Sequence, residues 1–199
     1  MSKKSTAKAN YHHGNLKEAL VEVAVEIVRA DGVAGLSLRK VAKKLGVTQT
    51  APYSHFKDKT SLLAAVATVG FRLFTERMSQ EMDKAETLEN KINGLGMGYV
   101  LFALEEPQLF RLMFGTELSG YLESQEFVQT AAKSYELISD SVAELIDRDK
   151  SGRDKSLATI TAWSLVHGLA TLLVDNKLAV PKGDIELREF IQGVLKETI

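Results

Sequence analysis

Residues 37–59 read Ser-Leu-Arg-Lys-Val-Ala-Lys-Lys-Leu-Gly-Val-Thr-Gln-Thr-Ala-Pro-Tyr-Ser-His-Phe-Lys-Asp-Lys, and the fold turns on how that stretch divides. Ser37 is a good N-cap, and Leu38, Val41, Ala42 and Leu45 recur at helical spacing, which predicts a short helix ended by Gly46. Gly46-Val47-Thr48 is then a tight turn, with glycine free to take the left-handed conformation and Thr48 placed to cap a second short helix, Gln49 to His55. Two helices of about two turns joined by a glycine-containing turn are the helix-turn-helix pattern, whose second helix enters the major groove of duplex DNA. Ala42 is small where the helices would cross, and Val47 and Phe56 supply apolar anchors.

Outward from this pair the chain keeps a three- and four-residue apolar rhythm and offers no convincing alternating strand, so the expected fold class is all-α. Upstream, Leu16, Leu20, Val23, Ala24, Ile27 and Val28 mark a helix stopping at Asp31-Gly32. Downstream, Asp58 caps a rod reaching about Ala85, Thr87 caps a helix to Glu106, and Pro107 opens a short helix ending near Gly115. Further helices run from Phe127 to Leu145, from Leu157 to Val174 and from Ile185 to Val194, nine in all. Gly94, Gly96 and Gly98 invite a dinucleotide-loop reading, but no strand precedes them and the stretch is helical. Glycine inside a helix costs about 1 kcal/mol, so close helix approach or a weak point beside a cavity is the physical account.

Composition bounds the function. The 199 residues are 45% hydrophobic and 26% charged, enough for a real core, and none is cysteine, which excludes disulfides, thiolate metal sites and cysteine nucleophiles. The net charge of −1 hides an asymmetry: residues 1–62 carry 11 basic and five acidic side chains, and residues 63–199 carry 14 and 21. A basic head on an acidic body fits a polyanion-binding module, with a solvated charged face as the plainer alternative. The start of the chain is polar, and no apolar run approaches the roughly 20 residues needed to span a bilayer, so a cytoplasmic location without membrane contact is expected.

At Leu38-Arg39-Lys40-Val41-Ala42, Leu45-Gly46-Val47-Thr48, Tyr53-Ser54-His55-Phe56-Lys57-Asp58-Lys59 and Leu62-Leu63 the chain resembles the N-terminal signature of tetracycline-repressor (TetR) type regulators. The resemblance continues through Gly98-Tyr99, Phe110-Arg111-Leu112-Met113-Phe114-Gly115 and Trp163 with His167-Gly168, as in the branch named WHG after those three residue types. It implies a dimeric DNA-binding regulator, with repression the family habit, released from a pseudo-palindromic operator by a small, largely apolar effector. The implied DNA-facing set is Ser37, Arg39, Thr48, Gln49, Thr50, Ala51, Tyr53, His55 and Lys59. Gln49 and Thr50 would read bases, and Tyr53, His55 and Lys59 would hold phosphates. Ala51 departs from that pattern by replacing the hydroxyl residue often found there, and Pro52 behind it shifts the expected start of the recognition helix by a residue.

The division that follows is a flexible basic tail over 1–10, a DNA-binding domain over 11–57 and a ligand-binding and dimerisation domain over 58–199. The candidate pocket is lined by Phe71, Phe74, Met97, Tyr99, Phe102, Phe110, Trp163 and His167, while the same residues can also be plain core. Leu157–Val174 and Ile185–Leu195 are the expected dimer helices, because a helix apolar all round must be covered from outside its own domain. No cofactor and no catalysis are expected: Glu105-Glu106 point apart, and Ser164 with His167 lacks an acid. His12-His13 lacks further ligands for a metal. Lys43-Lys44 reads as an ordinary solvated face.

Overall fold

The computed structural model describes residues 16–150, 152–179 and 183–197, so the expected basic tail and the His12-His13 pair lie outside the described residues. Among the described residues all regular structure is helical. The eight α-helices are α1 (Leu16–Asp31), α2 (Leu38–Leu45), α3 (Lys59–Met82), α4 (Leu88–Glu105), α5 (Pro107–Phe114), α6 (Gln125–Asp149), α7 (Lys155–Val174) and α8 (Asp184–Lys196). The expected ninth, Gln49 to His55, is instead a single 3₁₀ turn over Ala51–Ser54. Pro52 has no N–H to give and sits in its first turn, so the helix starts late and closes on i→i−3 bonds such as Tyr53 N to Thr50 O, 3.1 Å.

The ends of the helices are set where side chains can satisfy them. Ser37 accepts from Lys40 N at 3.1 Å, and Gly46 closes α2 in the left-handed region at φ 75°. Asp58 and Ser61 form a reciprocal capping box, Thr87 caps α4, and Pro107 opens α5.

The glycines of α4 have two jobs. An ideal Cβ on Gly94 would lie 2.6 Å from the Glu81 carbonyl oxygen, and one on Gly98 would lie 2.6 Å from Met78 Cα, so this face of α4 touches the backbone of α3. Gly96 faces the other way, toward the side chains of Leu195 and Val166. Close approach is therefore the right account of Gly94 and Gly98, and they hold the two helices together instead of weakening the pocket.

Charged straps tie the elements at three places. Arg29 of α1 holds Glu106, at the α4–α5 corner, with Nε 2.8 Å from Oε2. Arg111 of α5 holds the end of α7 through the Val174 carbonyl at 3.0 Å and the Asp175 carboxylate at 2.9 Å. Glu81 of α3, only 5% exposed, is met by Arg77 at 2.6 Å, Lys84 at 2.8 Å and a two-pronged Arg188 of α8 at 3.0 Å. Those cations, Arg188 first, hold the Glu81 carboxyl far below the usual carboxylate range. A carboxylate with a lowered folded pKa stabilises the fold above its unfolded pKa, and the contribution is lost as pH falls through the acid range. Glu81→Gln is therefore expected to lower stability at neutral pH by about 1–3 kcal/mol and to flatten its decline from about pH 5 to pH 2. Urea unfolding across that range checks it, and parallel pH profiles for the two proteins would disprove it.

One expectation about the chain as a whole is corrected. α7 is 20 residues long, uncharged between Lys155 and Asp175, and passes by length and composition as a helix able to cross a membrane, with a third of that stretch buried. Hydroxyls, His167 and Gly168 break up its apolar letters, which is why no single run stands out in the sequence. Val166, Leu169, Ala170 and Leu173 face the core, whereas Leu157, Ile160 and Leu172 are 65, 50 and 43% exposed on the outside.

Candidate nucleic-acid interface and ligand cavity

The head is held by Leu20, Ala24, Ile27 and Val28 of α1 against Leu38 and Val41 of α2, with Phe56 buried behind the 3₁₀ turn. Because Pro52 and Phe56 face inward, Gln49, Thr50, Tyr53 and His55 are left outside, Tyr53 with half its surface exposed. Ser37, Arg39 and Thr48 are also exposed, so seven of the nine expected DNA-facing residues are accessible to solvent, and Ala51 is half-buried. Ser37 spends an acceptor site on its cap and keeps a hydroxyl proton to donate.

Two roles change. Thr48 does not cap: its hydroxyl lies 3.3 Å from that of Thr50, and Ala51 N donates to the Thr48 main-chain carbonyl at 3.0 Å. The backbone closes that turn unaided. Lys59 does not point outward as a phosphate donor; its amine donates to the Val33 carbonyl at 2.8 Å and clamps α3 to the loop before α2.

The lysines of α2 also separate. Lys40 and Lys44 pair with Asp31 and Glu26 of α1 at 2.6 and 2.9 Å. Arg39 and Lys43, one turn apart on the other side, have no ion pair among the described residues. Lys43 thus joins the candidate interface. Sequence reading missed it because the difference between Lys43 and Lys44 is the acid waiting on a neighbouring helix.

The body holds a cavity of about 400 Å³ enclosed by α4, α6, α7 and α8, with Met78 of α3. Of the eight residues expected to line a pocket, only Tyr99 does. Phe71, Phe74, Phe102 and Phe110 are core: Phe74 meets the Tyr99 ring at 4.7 Å and Phe102 at 5.2 Å, and Phe71 and Phe110 pack on Phe114. Met97 is buried outside the lining. The reason is packing. Large rings fill space best and close the core, and the void opens where small residues on different helices face one another: Gly96, Ser141, Ala158 and Ala162. The surrounding wall is apolar, with Leu95, Ile138, Val142, Leu165 and Val166.

Trp163 and His167 stand just behind that wall, joined through Tyr99. Trp163 Nε1 donates to the Tyr99 hydroxyl at 3.1 Å, and the same oxygen lies 2.8 Å from His167 Nδ1. An indole N–H can only donate, so Tyr99 accepts from Trp163 and gives its own proton to His167, which is then neutral with its proton on Nε2. Burial pushes the His167 pKa down and the Tyr99 pKa up, both favouring these neutral forms. Of the two readings open for His167, this is the satisfied polar group of a core, one residue removed from the cavity.

A basic, solvent-facing helix-turn-helix on a cavity-bearing helical body agrees with comparison to known proteins. Residues 20–66 match the model of bacterial regulatory proteins of the tetR family, and residues 92–194 that of the tetracyclin repressor-like C-terminal domain. An uncharacterized HTH-type transcriptional regulator of Bacillus subtilis, YobS, is 25% identical over 193 residues, 92% of this chain and 94% of that protein. The class C tetracycline repressor protein of Escherichia coli is 45% identical over 51 residues, 26% of this chain and 23% of the repressor. A solved structure of a Rhodococcus protein of unknown function superposes with a TM-score of 0.80 at 30% identity, covering 96% of this chain and 97% of that one. With both the head and more than half of the chain's length matched, the chain belongs to the tetR family of DNA-binding transcriptional regulators, whose members form dimers and bind operators and small molecules.

Proposed function

We propose that this chain is a dimeric repressor that holds a pseudo-palindromic operator through its two heads and releases it when a small, largely apolar effector fills the cavity. The working division is a head over 11–57 and a body over 58–199, with α7 and α8 (Leu157–Val174 and Ile185–Leu195) as the dimer helices and the bacterial cytoplasm as the setting. The protein binds and does not turn over its effector. The observation that carries the reading is α3: one 24-residue helix starts at the head, where Asp58 caps it, and reaches the cavity wall at Met78. Because Gly94 and Gly98 bring α4 onto its backbone, α3 and α4 move as a pair, and the effector acts by shifting that pair against α6 and α7. Arg72–Glu126 and Lys57–Glu123 link α3 and the head to the start of α6, so a displaced α6 is also felt there.

Selection of bound duplexes from a random pool supplies the operator and tests the head. On the selected duplex, Gln49→Ala is expected to cost about 1–3 kcal/mol, with little change on a scrambled one, because base contacts specify. Arg39→Ala and Lys43→Ala are expected to weaken both duplexes alike and each, removing one cation from either head of the dimer, to reduce the salt slope by about 2. Unchanged sequence preference in Gln49→Ala would remove it from the base-reading set.

The effector half is tested by the single tryptophan. Trp163 is bonded to the hydroxyl of Tyr99, a residue of the cavity wall, so a ligand there is expected to change its emission. An effector preferring the released state by about 1–3 kcal/mol weakens operator binding roughly 5- to 150-fold, and operator must weaken the effector by the same factor. A compound that frees the DNA with equal affinity in the presence and absence of operator would refute the coupling.

A further inference from the structure

Among the described residues that line the cavity, only Tyr99, Ser141, Arg153, Asp154 and Thr161 carry polar side chains. The three hydroxyls have each given their proton away. Ser141 Oγ donates to the Leu137 carbonyl at 2.8 Å, Thr161 Oγ1 to the Leu157 carbonyl at 2.8 Å, and Tyr99 to His167 Nδ1 at 2.8 Å. A hydroxyl has one proton and two lone pairs, so Ser141 of α6 and Thr161 of α7 keep only acceptor capacity. The main chain adds no donor. Helical N–H groups are committed to carbonyls one turn back, and Leu157 N, at the exposed start of α7, is taken by Asp154 at 2.9 Å.

The end of the cavity at the α6–α7 turn disfavours an anion. Arg153 pairs with Asp149 at 3.2 Å, and Asp154, next to it in the chain, lines the cavity as a second carboxylate. An anionic ligand would bring a third negative group to one guanidinium. We propose that the cavity takes an uncharged, largely apolar molecule whose polar group is a hydrogen-bond donor, an alcohol, phenol or amide N–H, seated on the Ser141 and Thr161 oxygens. A carboxylate or a ketone in that place sets lone pair against lone pair at both hydroxyls and leaves a polar group desolvated without a partner. The proposal rests on the reading of this cavity as the effector site and narrows it to a ligand class.

Probes of one shape separate the possibilities: 4-hexylphenol carries a donor, 4-hexyltoluene is its isostere without a polar group, 4-hexylanisole has an acceptor alone, and 4-hexylbenzoate is an anion. In equilibrium dialysis against the full-length protein, 4-hexylphenol is expected to bind about tenfold more tightly than the toluene and the anisole, with the benzoate weakest. Ser141→Ala combined with Thr161→Val is expected to remove the phenol's advantage and to leave the toluene as it was or tighter. Thr161→Ser alone, which keeps the oxygen, is expected to retain the advantage, and circular dichroism checks that each variant keeps its helices. Equal affinity for phenol and anisole, tightest binding of the benzoate, no binding of the phenol up to its solubility, or an equal loss of all probes in the double variant would overturn the ligand class. Any of these leaves the repressor reading standing, because release of the selected duplex is measured separately. A phenol that binds as expected without changing duplex affinity upholds the class and takes control of the DNA away from the cavity.

Discussion

Between 50 and 200 mM salt the affinity of the dimer for duplex DNA is expected to fall about 10²- to 10³-fold, with a log–log slope of about −4 to −5. The structure sets that range by showing which cations are spent. Lys40 and Lys44 are paired with α1 acids, and the Lys59 amine is on the Val33 carbonyl. Flanking the recognition turn, on α2 and just before α3, Arg39 and Lys43 are left, with Lys57, whose exposed pair with Glu123 spans 3.8 Å and is weak. That is about two to three cations per head and about four to six per dimer, each releasing close to 0.9 counterion. A slope steeper than about −6 would bring Lys3, Lys4 and Lys8 of the N-terminal segment into contact with DNA. A flat response, or preference for single strands, would dismiss the basic head as a merely solvated surface.

The second large effect is on stability. Gly98→Ala is expected to destabilise the fold by about 2–3 kcal/mol, lowering Tm by about 4–12 °C, although alanine is the better helix former by about 1 kcal/mol. The new methyl would sit 2.6 Å from Met78 Cα and 2.6 Å from the Arg77 carbonyl oxygen, atoms of a helix backbone that cannot rotate away. Gly96→Ala meets only the ends of the Leu195 and Val166 side chains, at 2.9 Å and beyond, which can turn into the cavity. It is therefore expected to be near neutral. Thermal unfolding of the two variants side by side decides the matter, and a larger loss for Gly96→Ala would mean that α3 and α4 are free to part.

The helix ends were legible from sequence because capping is local. Ser37, Gly46, Asp58, Thr87 and Pro107 each act within a few residues of themselves, and each does what its type and position imply. The close approach at Gly94 and Gly98 was legible for a related reason, since glycine inside a helix needs an explanation. The recognition element was half legible: Pro52 announced a shifted start but not that the whole helix would shrink to one 3₁₀ turn. Everything depending on which helix lies beside which was out of reach. Lys43 and Lys44 look alike until Glu26 is placed, and Glu81 looks like an ordinary surface carboxylate until Arg188 arrives from 107 residues away. The cavity was sought among aromatics, whereas a void is defined by small residues on three helices, α4, α6 and α7, that no single stretch brings together.

The two straps either side of α5 have a consequence for operator architecture. Arg29 binds α1 to the corner where α5 begins, and Arg111 binds α5 to the far end of α7. The eight-residue α5 is thus a connecting rod between the proposed dimer helix and the first helix of the head. On the proposed dimer, the crossing angle of the two α7 helices would gauge the distance between the two recognition turns, and so the number of base pairs between half-sites that the protein accepts. Operators with one base pair inserted or removed at the centre would then be discriminated through the Arg111–Asp175 strap, at the end of α7 and outside the helix-turn-helix.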